Sequence, residues 1–242
     1  MYQHFAKSYY NIMKNTTQNK YFNYYKNIFN KLNITPELIL DLGCGTGDIT
    51  KIFADNGYDM IGIDISTDML NIAREENSHK KILYLNQDMR NFELYGTVDV
   101  IYSSLDCINY ITNKNDLKKV FKLCKNYINP DGIFIFDINT EYKFENILDK
   151  NTYVYDTENE YLVWQSEYDK KNKICTFFLD MFNKNGDLYE RCYEEQYQRA
   201  YSVEEITKLL EVCGFKVLNI YDQFKFKKYT KTSEKVFFVC KG

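Results

Sequence analysis

The chain is 242 residues long, and at roughly 100 to 200 residues per domain it has room for one large domain, or one domain carrying an insertion. Its 31 Lys and Arg stand against 34 Asp and Glu, a net charge of −3, so no global field gathers nucleic acid or anionic lipid. Hydrophobic residues make up 45% and no apolar run approaches the ~18 residues of a membrane span, so a soluble, non-membrane protein is expected. The start, Met1 to Phe5, lacks the basic flank and apolar stretch of a secretory signal, which points to the cytoplasm. The seven cysteines are odd in number, scattered and never spaced C-x-x-C. That pattern argues against a disulfide framework and a zinc site, and reads as reduced thiols that mostly fill core. His4 and His79 make no metal pair, and no metal is expected.

In chain order, Tyr21, Tyr25, Ile28, Phe29 and Leu32 recur at three-to-four-residue spacing and predict an amphipathic helix within residues 1–35. From Pro36 onward, short apolar runs alternate with helical segments, the signature of βαβ units and a parallel sheet. Strands are predicted at 38–42, 60–64, 82–85, 98–103 and 133–138. Helices are predicted at 48–56, 67–76 and 116–127, the first closed by Gly57 and the last stopped by Asn129-Pro130-Asp131-Gly132. From about Tyr153 to Ala200 the helical period disappears, and 160–168, 174–182 and 188–199 read as antiparallel strands. Residues 170–173 and 183–187 would be the turns between them. Ser202 with Glu205 forms a capping-box pattern for a helix ending at Gly214, followed by strands at 215–221 and 235–240. The expected fold is α/β, a doubly wound, mostly parallel seven-stranded sheet. Its expected divisions are 1–35, a core of 36–150 with 201–242, and an antiparallel insertion at 151–200.

The informative stretch runs from Ile39 to Thr50, an apolar strand entering the turn Gly43-Cys44-Gly45-Thr46-Gly47 and then a helix. Glycines at alternate positions let the backbone bend sharply and approach a ligand closely. Asp64 ends the second strand, seventeen positions after Gly47. In sheets of this kind an acid at that tip accepts hydrogen bonds from ribose hydroxyls; the same position also suits a helix-capping carboxylate, with Ser66 following. The pattern is G-x-G-x-G, not the G-x-G-x-x-G of dinucleotide enzymes, because Asp48 stands where their third glycine would be.

The stretch Asp41-Leu42-Gly43-Cys44-Gly45-Thr46-Gly47 resembles the first motif of the class I, seven-strand S-adenosylmethionine-dependent methyltransferases. The resemblance continues through 62–66, Gln87-Asp88-Met89, 98–101, 123–133 and Gly214-Phe215, about two thirds of the chain. It implies a methyltransferase whose cofactor is S-adenosylmethionine and whose product is S-adenosylhomocysteine. By resemblance, Asp41 and Gly43 approach the amino-acid part of the cofactor, and Gly45 and Gly47 make room for it. Asp64 holds the ribose, Ile65 packs on the adenine, Asp88 and the Met89 backbone read the adenine amino edge, and Ser103 to Leu105 face the methionine portion. Asp88 equally suits a turn cap.

Methyl transfer from a sulfonium is an in-line displacement with a good leaving group, so no dedicated base is required and no catalytic residue is assigned. The segment 103–110, Ser-Ser-Leu-Asp-Cys-Ile-Asn-Tyr, lacks the Asn/Asp-Pro-Pro-aromatic motif of enzymes that methylate base amino groups or glutamine amides. Neither proline precedes a cysteine, as pyrimidine C5 methyltransferases require. This segment and the N-terminal Phe5-Ala6-Lys7-Ser8-Tyr9-Tyr10-Asn11-Ile12-Met13 are similar to family members that act on small molecules, where the latter segment is a lid over the cofactor. Tyr10 stands where those members carry Asp. The implied acceptor is a small molecule, N-methylated ahead of O-methylated, under a cap made by 151–200. Tyr9, Tyr10, Asn109, Tyr110, Trp164 and Arg199 are the candidates to face it, with Tyr193, Tyr197 and Tyr201 completing an aromatic wall and Arg191 a second anion clamp. The same residues suit the faces of a half-buried sheet. DNA is disfavoured as a partner, and RNA also, although Lys225, Lys227, Lys228, Lys231 and Lys235 interleave with Phe224, Phe226 and Tyr229. The competing readings are an RNA methyltransferase, marked by a basic groove, and a cofactor-binding protein that transfers no methyl. The oligomeric state is unspecified.

Overall fold

A computed structural model describes residues 17–78 and 81–242. Strands β1 (Leu38–Leu42), β2 (Asp59–Asp64), β3 (Ile82–Asn86), β4 (Val98–Ser103) and β5 (Ile128–Asn139) run parallel in the order 3-2-1-4-5. Two further strands, β10 (Lys216–Asp222) and β11 (Lys235–Lys241), extend that sheet to seven, with β11 antiparallel between β5 and β10. The fold is the expected α/β arrangement, a mostly parallel sheet with helices on both faces.

The alternation of side chains along each strand assigns the two faces. Ile39, Val100, Tyr102, Ile133, Ile135, Phe237 and Val239 bury against α1 (Gln18–Leu32) and α2 (Asp48–Asp55). Their neighbours Leu40, Leu42, Ile101, Phe134, Phe136, Val236 and Phe238 face α4 (Lys114–Tyr127) and α5 (Val203–Val212). A further helix, α3 (Thr67–Glu76), packs Leu70 and Ala73 on Tyr84 of β3. Each fully buried large apolar side chain contributes roughly 1.5–3 kcal/mol, so both faces are needed. The predicted stripe of α1 is the buried one, and Tyr25 also bonds Ser104 through its hydroxyl (2.9 Å). Within the described residues α1 is a core helix. Residues 5–13, the segment read as a lid with Tyr9 and Tyr10, lie outside the described residues, as do His4 and His79.

The insertion is a separate antiparallel sheet of β6 (Thr152–Asp156), β7 (Glu160–Asp169), β8 (Ile174–Asn185) and β9 (Leu188–Arg199). Three details differ from the sequence reading. β6 was not anticipated. The 183–187 turn shrinks to Gly186-Asp187, because the ladder continues to the pair Asn185 and Leu188. The Asn129-Pro130-Asp131-Gly132 stop lies inside β5, where the register against β4 shifts between Val98 and Val100; an irregularity of that kind tolerates a proline that a regular ladder would not. Among the described residues no helix is long and apolar enough to cross a membrane.

Candidate active site

At the carboxyl ends of β1, β2 and β4 lies a cleft of about 460 Å³. Its floor is the glycine turn. Gly43 has φ +84°, and a Cβ there would sit 2.9 Å from the Cys107 sulfur. A Cβ on Gly45 would meet nothing within 4 Å, so its missing side chain leaves open space. Gly47 differs from the expectation: it does not line the cleft, and a Cβ there would strike the Tyr84 hydroxyl. Its glycine is required by strand β3 and by a φ of +76° at the start of α2.

The two acids flanking this turn have different environments. Asp41 is 2% exposed and accepts hydrogen bonds from Thr50 Oγ1 (2.6 Å) and the Tyr102 hydroxyl (2.9 Å). Burial pushes its carboxyl up to about 7, against those two bonds. Asp64 accepts from the amides of Gly45 and Ser66, both at 2.8 Å, and burial raises its carboxyl too. The Asp64 carboxylate, with about four lone-pair sites, keeps acceptor capacity for a ligand. Ile65 beside it is 63% exposed, an apolar face presented along the cleft. Asp88 lines the cleft but is engaged by the Arg90 fork, whose Nε lies 2.9 Å from both carboxylate oxygens, and Arg90 holds its carboxyl below the usual range. Met89 lines the cleft as well.

Past β4, Ser103 is turned away, donating to the Leu42 carbonyl (2.7 Å), and Ser104 and Leu105 line the cleft instead. Leu105 and Asp106 are consecutive non-glycine residues at φ +57° and +54°, a conformation that persists only when its surroundings hold it. What holds it is a buried ion cluster. The Lys235 ammonium meets Asp137 and Asp106 (2.9 Å) and the Tyr21 hydroxyl (3.2 Å), and the Asp106 amide donates to Asp137 (3.0 Å). The lysine expected in an exposed basic run is thus internal. Phe224 and Phe226 of that run pack on Tyr24, with centroids 5.6 and 5.0 Å away.

The expected acceptor-facing residues separate. Asn109 is fully buried, donating to the Asn139 and Arg199 carbonyls and accepting from the Asn139 amide, so it pins three segments together rather than facing a ligand. Arg199 lies over the Tyr201 ring at 5.5 Å and lines neither cavity. Arg191 pairs with Asp180. Tyr193 and Tyr197 point outward, both bonding Glu195, and Tyr201 is buried with its hydroxyl on the Ile111 carbonyl, so these three form no wall with Trp164. Tyr110 and Trp164 do face open space: Trp164 lines a second cavity of about 170 Å³, and Tyr110 lines both it and the cleft.

The residues that β9 turns inward are Glu194, Gln196 and Gln198, which the sequence reading passed over. A signal for them existed. A two-residue turn at Gly186-Asp187 sets Phe177 opposite Gln196 and Leu179 opposite Glu194, and directly opposed residues share a face. Cys44 and Cys107 line the cleft, so these two thiols are not core filler.

Comparison with known proteins shows the family. Residues 39–132, which carry the glycine turn and both acids, match the family model described as a methyltransferase domain. The chain is 33% identical over 202 residues to "Putative methyltransferase YqeM" of Bacillus subtilis, across 83% of this chain and 82% of that one. The chain belongs to the class I S-adenosylmethionine-dependent methyltransferases. A crystal structure of an S-adenosylmethionine-dependent methyltransferase from Clostridium acetobutylicum matches with a TM-score of 0.89 at 29% identity, over 99% of this chain and 98% of that one. The fold is shared further with S-adenosylmethionine-bound CalS10, an amino pentose methyltransferase from Micromonospora echinaspora, at a TM-score of 0.77 and 15% identity over 97% and 95% of the two chains. The cofactor of this methyltransferase is S-adenosylmethionine. The cleft fits such a group: open space beyond Gly45, a carboxylate at the β2 tip and an exposed Ile65 suit the close approach, the hydroxyls and the flat base of a nucleoside.

Proposed function

We propose that this methyltransferase methylates a small molecule, an amine in preference to a hydroxyl, held in the second cavity. The observation that carries the reading is continuity. Leu105, Tyr110 and Gln196 line both spaces, so the cavity adjoins the cleft just past β4, beside the residues assigned to the methionine portion. In this reading 36–150 and 201–242, with α1 packed into their core, bind the cofactor, and 151–200 is the acceptor cap. Asp41 and Gly43 serve the amino-acid end of the cofactor, Asp64 the ribose, Ile65 with Asp88 and Met89 the adenine, and Ser104 and Leu105 the methionine portion. S-adenosylmethionine supplies an electrophilic methyl group and a neutral leaving thioether.

The preference for an amine rests on Glu194. It lines the cleft beside Gln196, which donates to it at 2.8 Å, and gives the negative charge that an incoming ammonium needs. Burial raises its carboxyl, which eases its taking a proton from that ammonium before attack. CalS10, an amino pentose methyltransferase that shares this fold, is in keeping with an amine-bearing acceptor. An RNA acceptor is disfavoured, because the cleft continues into a cavity walled by Leu162, Phe177, Leu179 and Met181 and not into a basic groove.

Titration with S-adenosylmethionine, S-adenosylhomocysteine and NAD, followed by labelled-methyl transfer to paired amines, alcohols and an RNA, tests the reading. Binding of the two sulfur compounds and labelling of amines is expected; labelling of RNA alone would overturn it. Asp64→Ala should weaken S-adenosylhomocysteine binding by about 1.5–3 kcal/mol, the loss of charge-assisted hydrogen bonds. Unchanged affinity in a folded variant would remove Asp64 from the site.

A further inference from the structure

The second cavity has an uneven chemistry. Its roughly 170 Å³ compares with the ~150 Å³ cavity that takes a benzene ring, so it admits about one six-membered ring. Its walls are apolar, with Leu148, Leu162, Trp164, Phe177, Leu179 and Met181. Most of its polar side chains are spent on one another. Asp106 accepts from Lys235 (2.9 Å) and from Gln198, the Gln198 oxygen accepts from Asn139 (3.2 Å), and Gln196 accepts from Tyr110 (2.9 Å) while donating to Glu194.

Lys143 is the exception. Among the described residues it is the one cation lining the cavity, its ammonium donates to the neutral Asn139 Oδ1 at 2.9 Å, and no carboxylate lies in ion-pair contact with it. Two of its three N–H donors therefore have no partner among the described residues. A half-buried ammonium with unused donors and no carboxylate in contact is costly, and a carboxylate brought in by a ligand would complete it with a charge-assisted bond. Asp106, Asp137 and Glu234 act on Lys143 only at a distance, and the first two spend their contacts on Lys235. Lys143 lines only the cavity, whereas Leu105, Tyr110 and Gln196 line cavity and cleft alike.

We infer that the cavity takes a compact amino acid-like acceptor, about one ring in size, whose carboxylate pairs with Lys143 while its amine is presented at the junction with the cleft. The inference rests on the reading of the cavity as the acceptor site. Lys143 is then a specificity residue that anchors the far end of the acceptor. Burial holds its ammonium below the usual lysine range, against the favourable charges of Asp106, Asp137 and Glu234, none of which is in contact with it.

The test is calorimetric titration of the protein, saturated with S-adenosylhomocysteine, by 4-aminocyclohexanecarboxylate, its methyl ester and cyclohexylamine. The acid is expected to bind roughly tenfold tighter than either analogue, the increment of one charge-assisted bond. Lys143→Met should abolish that preference and Lys143→Arg should keep it, with S-adenosylhomocysteine affinity unchanged in both. Equal binding of acid and ester, no binding of any of the three, or a preference that survives Lys143→Met would overturn the inference. If the acid binds through Lys143 and yet accepts no labelled methyl from S-adenosylmethionine, the acceptor reading of the cavity fails and the anion site stands.

Discussion

Asp41 shows how one residue carries both a sequence signature and a tertiary property. Its place two residues before Gly43 is visible in the chain, but its state depends on burial at the end of β1 and on Thr50 and Tyr102, which are distant or on other elements. With its carboxyl raised to about 7, the folded protein holds a proton that the unfolded chain has released above its ordinary value of about 4. The folded state binds more protons in that window, so this group lowers stability as pH rises through it, on the order of 1 kcal/mol per unit of displacement. Asp41→Asn should remove the slope. Denaturant unfolding of both proteins across that window would show the wild type losing ground to the variant as pH increases; parallel curves would show that Asp41 is ionised in the fold. Asp64 was legible from spacing alone, whereas the Arg90 fork on Asp88 and the turning away of Ser103 were not, since each depends on a side chain choosing among several neighbours in reach.

At the level of elements, the sequence located the strands of the main sheet and all of its long helices, because apolar periodicity and end signals agree there. The capping box is a case in point: Ser202 Oγ accepts from the Glu205 amide (3.1 Å) and the Glu205 carboxylate accepts from the Ser202 amide (2.9 Å). Ser202→Ala should destabilise the protein by about 1 kcal/mol through loss of that cap, without altering S-adenosylhomocysteine affinity. Denaturant midpoints and a parallel titration check both halves; an affinity loss would mean that α5 reports to the cleft. β9 was located but its inner face was misassigned. The sequence reading offers Arg191, Tyr193, Tyr197 and Arg199 to the acceptor, yet pairing with β8, whose Cys175, Phe177, Leu179 and Met181 are unambiguously apolar, turns Glu194, Gln196 and Gln198 inward. A strand that borders a cavity does not follow the alternation of one that borders a core.

Across the whole molecule, Lys235 ties together parts that are remote in sequence. It joins β11 to Asp137 of β5, to Asp106 of the strained turn after β4 and to Tyr21 of α1, and is itself 5% exposed. Lys235→Met leaves two buried carboxylates uncompensated and should cost about 3–5 kcal/mol. Denaturant unfolding measures it, and a loss below about 1 kcal/mol would mean that the cluster does not hold the turn as a charged unit. The turn carries Leu105 at the junction of cleft and cavity, so the same variant should disturb methyl transfer more than cofactor binding.

The chain by itself determined the fold class and the position of the glycine turn with its two acids, because these depend on local spacing: a strand, a tight turn and a helix follow one another within a dozen residues, and the resemblance that this stretch carries named the cofactor. The tertiary structure alone decided which side chains line the second cavity. That set draws Tyr110, Lys143, Trp164 and Gln196 from four separate segments, and their meeting depends on strand register and on how two sheets pack, neither of which any local stretch encodes.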